Sequence, residues 1–143
     1  MPICSLSSAT KPARASGLPA VFYDVGAPGP KTINIRVRYE LGMQRAVQYL
    51  YSLGHRRMGF VGHHASLSPL QVRKKAFLAA MRQYGHEVKH KVALNNDGPW
   101  GGVQAVRELL CSGLRPTAVV CVNDYMAAGV LRELRAQGLS VPG

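Results

Sequence analysis

Acid is the scarcest resource in this sequence. Only 7 Asp and Glu stand against 18 Lys and Arg, which gives a formal charge of +11 over 143 residues. No two carboxylates form the spaced pair that general acid–base hydrolysis needs, and no nucleophile elbow appears. Aromatics are also few, at 7%. They do not interleave with the basic residues, so there is no platform on which bases would stack. Cys4, Cys111 and Cys121 are odd in number and lack a Cys-x-x-Cys spacing. Neither a disulfide framework nor a zinc site is expected, and a reducing, cytoplasmic setting is. No apolar run approaches the ~18 residues of a membrane-spanning helix. Met1 to Gly17 has no apolar core beyond Ile3 to Leu6 and makes a poor secretory signal, so residues 1–17 are expected to be a loose N-terminal segment.

Motifs that would carry a cofactor are equally thin. His63 and His64 are adjacent, so their side chains diverge, and no metal is expected there. Gly98-Pro-Trp-Gly-Gly102 before a helix has the flavour of a phosphate cradle. It lacks the lysine and the Ser or Thr of a P-loop. No cofactor and no enzymatic activity are expected.

What is present is a hydrophobic fraction of 47%, enough for a packed core in a chain of one-domain size. The charge is concentrated. Residues 25–91 hold twelve basic and two acidic residues, whereas residues 92–143 hold four of each. Such a bias raises nucleic acid as a partner. The basic clusters, however, fall at loops and element ends, as a solvated face would.

Periodicity orders the elements. Val21 to Tyr23 reads as a short buried strand, Gly26 to Pro30 as a turn, and Thr32 to Val37 as a second strand that alternates around Ile33, Ile35 and Val37. Tyr39 to Leu53 is helical with Met43, Val47 and Leu50 on one stripe beside Ala46 and Leu53, and Gly54 stops it. Met58 to Val61 is a strand. Ser68-Pro-Leu-Gln71 starts a helix by capping, which continues through Ala76, Phe77, Ala80, Met81 and Tyr84 to Gly85. Lys91 to Leu94 is a weak strand. Gly102 to Cys111 is a helix with Val103, Val106 and Leu110 aligned and Gly113 closing it. Ala118 to Val122 is a strand, and Asp124 to Ala136 a helix with Met126, Ala127, Val130, Leu131 and Leu134 inward. Strand alternating with helix predicts an α/β domain with a parallel sheet covered by helices. Ligands of such sheets sit beyond the carboxyl ends of the strands. Here those ends are Asp24, Gly62 to Ser68, Asn95 to Trp100, and Asn123 with Asp124.

Two segments carry a family resemblance. Leu53-Gly-His-Arg-Arg-Met-Gly-Phe-Val-Gly62 and Arg115-Pro-Thr-Ala-Val-Val-Cys-Val-Asn-Asp-Tyr-Met-Ala-Ala-Gly129, running on to Gly138-Leu-Ser-Val-Pro142, resemble the sensor domain of the LacI/GalR (lactose-repressor) regulators. Pro19 to Asp24 and Arg73 to Phe77 fit in order and spacing. The resemblance implies a three-layer, parallel-sheet, Rossmann-like lobe of the periplasmic-binding-protein type I fold. In that reading residues 18–37 end the N-terminal lobe and cross over. Residues 38–143 form the C-terminal lobe, expected to be incomplete because the family's later strands and return crossover have no counterpart here; its DNA-binding headpiece has none either. The implied partners are a sugar or nucleobase effector, operator DNA through a headpiece, and a second copy in a homodimer, with no membrane. With half a cleft, effector affinity is expected to be weak.

Five residues match or neighbour the family's contacts. Arg73 matches the cleft arginine; its guanidinium offers a fork of donors to hydroxyls or a base edge. Its expected place on the first helical turn also lies near the helix's positive end. Asn123 matches the effector-contacting asparagine, able to donate and accept at once, with a helix cap as the plainer role. Asp124 is its neighbour and an alternative cap. Asp24 matches a cleft aspartate and doubles as a turn residue. Trp100 offers a stacking surface. It lies two residues before Gly102, however, and Asp97 stands where the family carries its aromatic. Ser66 and Ser68 lie in a loop that often supplies a polar contact. Two other functions stay open at this point: an extracytoplasmic sugar-binding protein of the same fold, and a basic α/β nucleic-acid-binding module acting through residues 36–91.

Overall fold

The computed structural model describes residues 17–24, 29–64 and 68–142, with the side chains of residues 68–70 excepted. It divides the chain into two compact units, Met1–Arg38 and Tyr39–Gly143.

In the first unit β1 (Ala20–Tyr23) pairs in parallel with β2 (Thr32–Ile35), Val21 opposite Ile33 and Tyr23 opposite Ile35. Thr32 locks the turn before β2: its Oγ1 accepts from the Gly29 N–H at 2.6 Å and donates to the Gly29 carbonyl at 2.8 Å. β2 is shorter than the alternation through Val37 predicts. The Val37 N–H is instead drawn to the Asp24 carboxylate at 2.8 Å. The alternation itself is inverted, because Val21, Tyr23, Ile33 and Ile35 are the exposed positions. The remainder of the Gly26–Pro30 turn and the 1–17 segment lie mostly outside the described residues.

The second unit is the α/β alternation in full. Its elements are α1 (Tyr39–Ser52), β3 (Arg57–His63), α2 (Ser68–Arg82), a short 3₁₀ turn (Gly85–Glu87), β4 (Lys89–Asn95), α3 (Pro99–Cys111), β5 (Ala118–Cys121) and α4 (Asp124–Ala136). The sheet order is β4-β3-β5, parallel throughout. Phe60 meets the ring of Phe77 on α2, with centroids 5.1 Å apart. A side chain at the neighbouring Gly59 would meet Leu109 of α3. Successive strand residues face opposite sides, so α2 and α3 cover opposite faces and the unit has three layers. Phe60, Phe77, Met58, Met81, Leu109 and Met126 are fully buried between them.

Several boundaries move for physical reasons. β3 runs through Gly62 to His63, because both glycines in it are packed against side chains: a Cβ at Gly62 would meet Phe60 and Leu94. β4 gains residues at both ends by pairing with all of β3, from Arg57 opposite Lys89 to His63 opposite Asn95. α3 starts three residues early, at Pro99, since proline suits a first helical turn. It is closed by Ser112 rather than Gly113. The Ser112 hydroxyl donates to the Leu109 carbonyl at 2.6 Å, and Arg115 takes the left-handed backbone that ends the loop, with φ 46. Leu109, rather than Leu110, joins Val103 and Val106 in the fully buried stripe of that helix, and Leu53 at the end of α1 is 58% exposed. In α4 the buried stripe includes a charge, Glu133, while Leu131 lies at the surface. Gly54 does stop α1 with φ 90, a conformation open to glycine at little strain.

Candidate functional site

Three strand ends converge at the carboxyl edge of the second unit's sheet. β3 ends on His63, β4 runs out through Asn95 to Asp97, and β5 passes through Cys121 and Val122 to Asn123. Parallel pairing with matched register brings residues far apart in sequence to one rim.

Asn123 is the hinge of this rim. Its backbone is extended, and its side-chain oxygen accepts from the Met126 N–H at 2.9 Å. That makes Asn123 the cap of α4, and Asp124, the alternative cap, is instead the exposed first residue of the helix. The amide's other end is also used: Nδ2 donates to Asp97 Oδ1 at 3.0 Å. The same carboxylate oxygen accepts from the Gly98 N–H at 2.8 Å. The buried His63 places Nε2 3.8 Å from it, an ion pair whenever the imidazole is charged. The Asn123 hydrogen bond is the main reason the Asp97 carboxyl is held below the usual carboxylate range. The Gly98 N–H and the His63 charge act the same way, and partial desolvation opposes all three.

Arg73 is fixed from two directions. Its Nη1 donates to the Val122 carbonyl at 2.9 Å. Its guanidinium carbon lies 4.2 Å from the ring centre of Tyr39, the first residue of α1, where a cation and an aromatic face attract. One of five N–H donors goes to Val122, and the side chain lines an open depression of about 430 Å³. Arg73 falls on the second turn of α2, not the first, so proximity to the helix terminus adds little there. Asn123, Asp124, Cys121 and Ala127 line the same depression. Burial pushes the Cys121 thiol up to about 11, so it is a neutral wall rather than a nucleophile.

The structure therefore brings Arg73, Asn123 and Asp124 together. Trp100 is not among the residues lining this depression: it is 62% exposed on the first turn of α3, with the Arg107 guanidinium carbon 6.0 Å from its ring. Asp24 belongs to the first unit, where it takes a left-handed backbone, φ 56, and accepts from Val37. Ser66 and the side chain of Ser68 lie outside the described residues. Of the three glycines in the segment that resembles a phosphate cradle, Gly98 caps α3 with φ 101, while Gly101 and Gly102 sit inside the helix and serve packing. A Cβ at Gly101 would meet the Asn96 carbonyl oxygen, and one at Gly102 the Met126 carbonyl oxygen. Asp97 is the rim residue to which the sequence pattern assigns no role. The available signal was its position, one turn before a helix and at the end of a strand. No group of three or more metal-ligating side chains occurs among the described residues.

The family model of the periplasmic binding protein-like domain matches residues 47–143. The chain is 31% identical over 131 residues to the HTH-type transcriptional repressor PurR of Photobacterium profundum, covering 91% of this chain and 39% of that protein. It is 33% identical over 117 residues to the HTH-type transcriptional regulator GalR of Escherichia coli, covering 81% and 34% respectively. The crystal structure of a LacI transcriptional regulator from a Rhodococcus species superposes with a TM-score of 0.81 at 29% identity, covering 99% of this chain and 52% of that one. The chain thus spans less than half the length of these curated relatives and about half of that solved chain. Both relatives are transcriptional regulators rather than enzymes.

Proposed function

Because this chain belongs to the periplasmic binding protein-like domain family, in its LacI/GalR branch, we propose that it is the effector-sensing lobe of a transcriptional regulator. A small polyhydroxylated or heterocyclic ligand, a sugar or nucleobase, binds in the depression at the carboxyl edge of the second unit's sheet. The observation that carries this reading is the guanidinium of Arg73, held between the Tyr39 ring and the Val122 carbonyl beside Asn123. A rigid donor fork beside an amide recognises adjacent hydroxyls or a planar base edge. Asp124 adds an acceptor at the same wall, and Asp97 reaches the ligand through Asn123, whose orientation it fixes.

In the intact regulator, ligand binding biases lobe closure and thereby the geometry of a DNA-binding headpiece, with a coupling of roughly 1–3 kcal/mol. The molecule acts as a homodimer on operator DNA, in the cytoplasm, and performs no catalysis. Proton–nitrogen correlation NMR with a panel of pentoses, hexoses and purines tests the site, since it detects the weak affinity of a single lobe. Saturable shifts centred on Arg73, Asn123 and Asp124, lost in Arg73→Ala, support the reading. Shifts that survive Arg73→Ala unchanged, or none from any ligand at millimolar concentration, refute it.

A further inference from the structure

Some of the basic residues scattered along the sequence, Arg56, Arg57, Lys89 and Lys91, meet at the opposite edge of the sheet, where its strands begin. Lys89 opens β4 directly opposite Arg57 on β3, and Lys91 stands opposite Gly59. Arg57 Nε donates to the Arg115 carbonyl at 2.8 Å, which draws in the residue just ahead of β5. With neighbouring strands ~4.8 Å apart, Lys89 and Arg57 stand side by side where β4 and β3 begin, and Arg115 lies in the loop that leads into β5. Arg56 lies beside them, its guanidinium carbon 3.7 Å from the Tyr51 ring centre. The nearby acid, Glu87, accepts from the Tyr51 hydroxyl at 2.6 Å. Among the described residues, neither the Lys89 nor the Lys91 side chain has an ion-pair or hydrogen-bond partner.

An independent feature coincides with these cations. β4 has one neighbour, β3, among the described strands, so its other edge is open. The Lys89 N–H donates to the Arg56 carbonyl at 2.9 Å, and the Asn95 carbonyl accepts from the His64 N–H at 3.2 Å. Residues 89 and 95 therefore turn their backbone groups inward. By strand alternation, those of His90, Val92 and Leu94 point outward. Lys89, His90 and Lys91 are all exposed. Edge lysines discourage a second copy of the same chain from pairing there. They favour a strand of opposite charge.

We propose that the open edge of β4 docks an extended acidic segment of a partner protein, which adds to the sheet beside Lys89–Val92. Main-chain hydrogen bonds to His90 and Val92 hold the segment. Lys89 and Lys91 share one face of the sheet, because their register partners Arg57 and Gly59 do. Carboxylates at alternate positions of the segment would stand beside them. The surface is at the far end of the strands from the depression that Arg73 lines, so its test is independent of effector binding.

The test is fluorescence anisotropy of the full chain with a labelled synthetic peptide alternating glutamate and valine. Parallel probes are the lysine–valine peptide, a glutamate–valine peptide N-methylated at every amide, and a single-stranded DNA oligonucleotide. The expected result is saturable, salt-sensitive binding of the first peptide alone. Lys89→Glu with Lys91→Glu should weaken it by at least about tenfold, from reversing two charge contacts. Lys74→Glu with Lys75→Glu on α2 should leave it unchanged, and the His90 and Val92 amides should gain protection from hydrogen exchange on binding. Absence of saturable binding overturns the proposal, and so does equal binding of the N-methylated peptide, which would mean charge attraction without strand pairing. DNA binding tighter than peptide binding and lost in the same double variant overturns it in favour of a nucleic-acid surface. Concentration-dependent dimerisation that competes with the peptide overturns it in favour of a second copy of this chain.

Discussion

Adding one methyl group to Gly129 separates what alanine does for a helix from what it does to a helix pair. Gly129 lies inside α4, where alanine is intrinsically better than glycine by about 1 kcal/mol. At this position, however, a Cβ would stand 1.8 Å from the Pro99 carbonyl oxygen of α3, whereas real Cβ contacts essentially never fall under 3.0 Å. The two backbones would have to part by more than an ångström. No rotamer can relieve the contact, because the atom struck is main chain. The seam is glycine-lined from the other side as well: a Cβ at Gly102 of α3 would stand 2.1 Å from the Met126 carbonyl oxygen of α4. Overpacking of a core typically costs about 1–3 kcal/mol, and a rigid contact belongs at the upper end. Set against the propensity gain, Gly129→Ala should destabilise the chain by about 2 kcal/mol. Gly42→Ala is the control. Gly42 is exposed on α1 with nothing within 4 Å of its missing Cβ, so alanine there should stabilise by about 0.5–1 kcal/mol. At roughly 2–4 °C per kcal/mol for a chain of this size, the two variants should melt about 5–12 °C apart by far-ultraviolet circular dichroism, with the parent between them. A Gly129→Ala protein that melts with Gly42→Ala, or above the parent, would refute the argument that these glycines exist to let α3 and α4 touch.

Three further outcomes follow from the site. Asn123→Ala removes the α4 cap and should cost about 1 kcal/mol in urea unfolding, whereas Asn123→Ser keeps an accepting oxygen and should lose only a few tenths; equal losses would mean that the Met126 contact is not the cap. Asp97 has a lowered folded pKa, so its stabilisation is complete above the unfolded carboxylate value near ~3.9 and fades as pH falls through the lower folded one. The gap in stability between the parent and Asp97→Asn should therefore be largest near neutrality and close on acidification; a gap that widens in acid would reverse the assignment. In a Cys4→Ser background, iodoacetamide at neutral pH should alkylate the exposed Cys111 well before Cys121, whose thiol is pushed up to about 11. Peptide mass mapping with Cys121 modified first would contradict its burial.

The order of strands and helices in the second unit was legible because each element has its own period: apolar spacing in α1, α2 and α4, and a β-branched run in β5. What was not legible came from partners that periodicity cannot see. β3 looked finished before Gly62 because glycine is a weak strand former, yet Phe60 and Leu94 fill the space that a Gly62 side chain would take. Glu133 is not among the inward positions that apolar spacing picks out on α4. It is buried because Arg107 grips it with two hydrogen bonds, at 2.8 and 3.0 Å, and Gln137 adds a third at 2.7 Å; those bonds also hold its carboxyl below the usual range. A bidentate pair between two helices has no signature within either one. In the depression, Arg73 and Asn123 were found through resemblance, since nothing local distinguishes Arg73 from the adjoining Lys74 and Lys75. Asp97 escaped because its role depends on Asn123, 26 residues away in the chain and 3.0 Å away in space.

Both edges of the sheet obey one rule, and it explains why charge counted along the chain misleads. Each strand-and-helix unit here is about thirty residues long, the usual size of a parallel crossover. Arg57, Lys89 and Arg115 recur at intervals of 32 and 26 residues; His63, Asp97 and Asn123 recur at 34 and 26. Residues that hold the same place in successive units become neighbours once the strands pair in register. A window of ten residues sees the first set as three unrelated basic spots. Read with the period of the repeating unit, it is one group of cations at the amino edge, and the second set is one polar rim at the strand ends. A charge excess that first suggests a nucleic-acid partner is thus divided by the topology: Arg73 stands among hydrogen-bonding side chains at the carboxyl edge, while Arg57, Lys89 and Lys91 stand at the amino edge beside an unpaired strand edge. The two edges should therefore answer to different perturbations. Arg73→Ala should move ligand shifts and leave peptide anisotropy alone, Lys89→Glu with Lys91→Glu should do the reverse, and a variant at one edge that altered both readouts would break the independence that the topology implies.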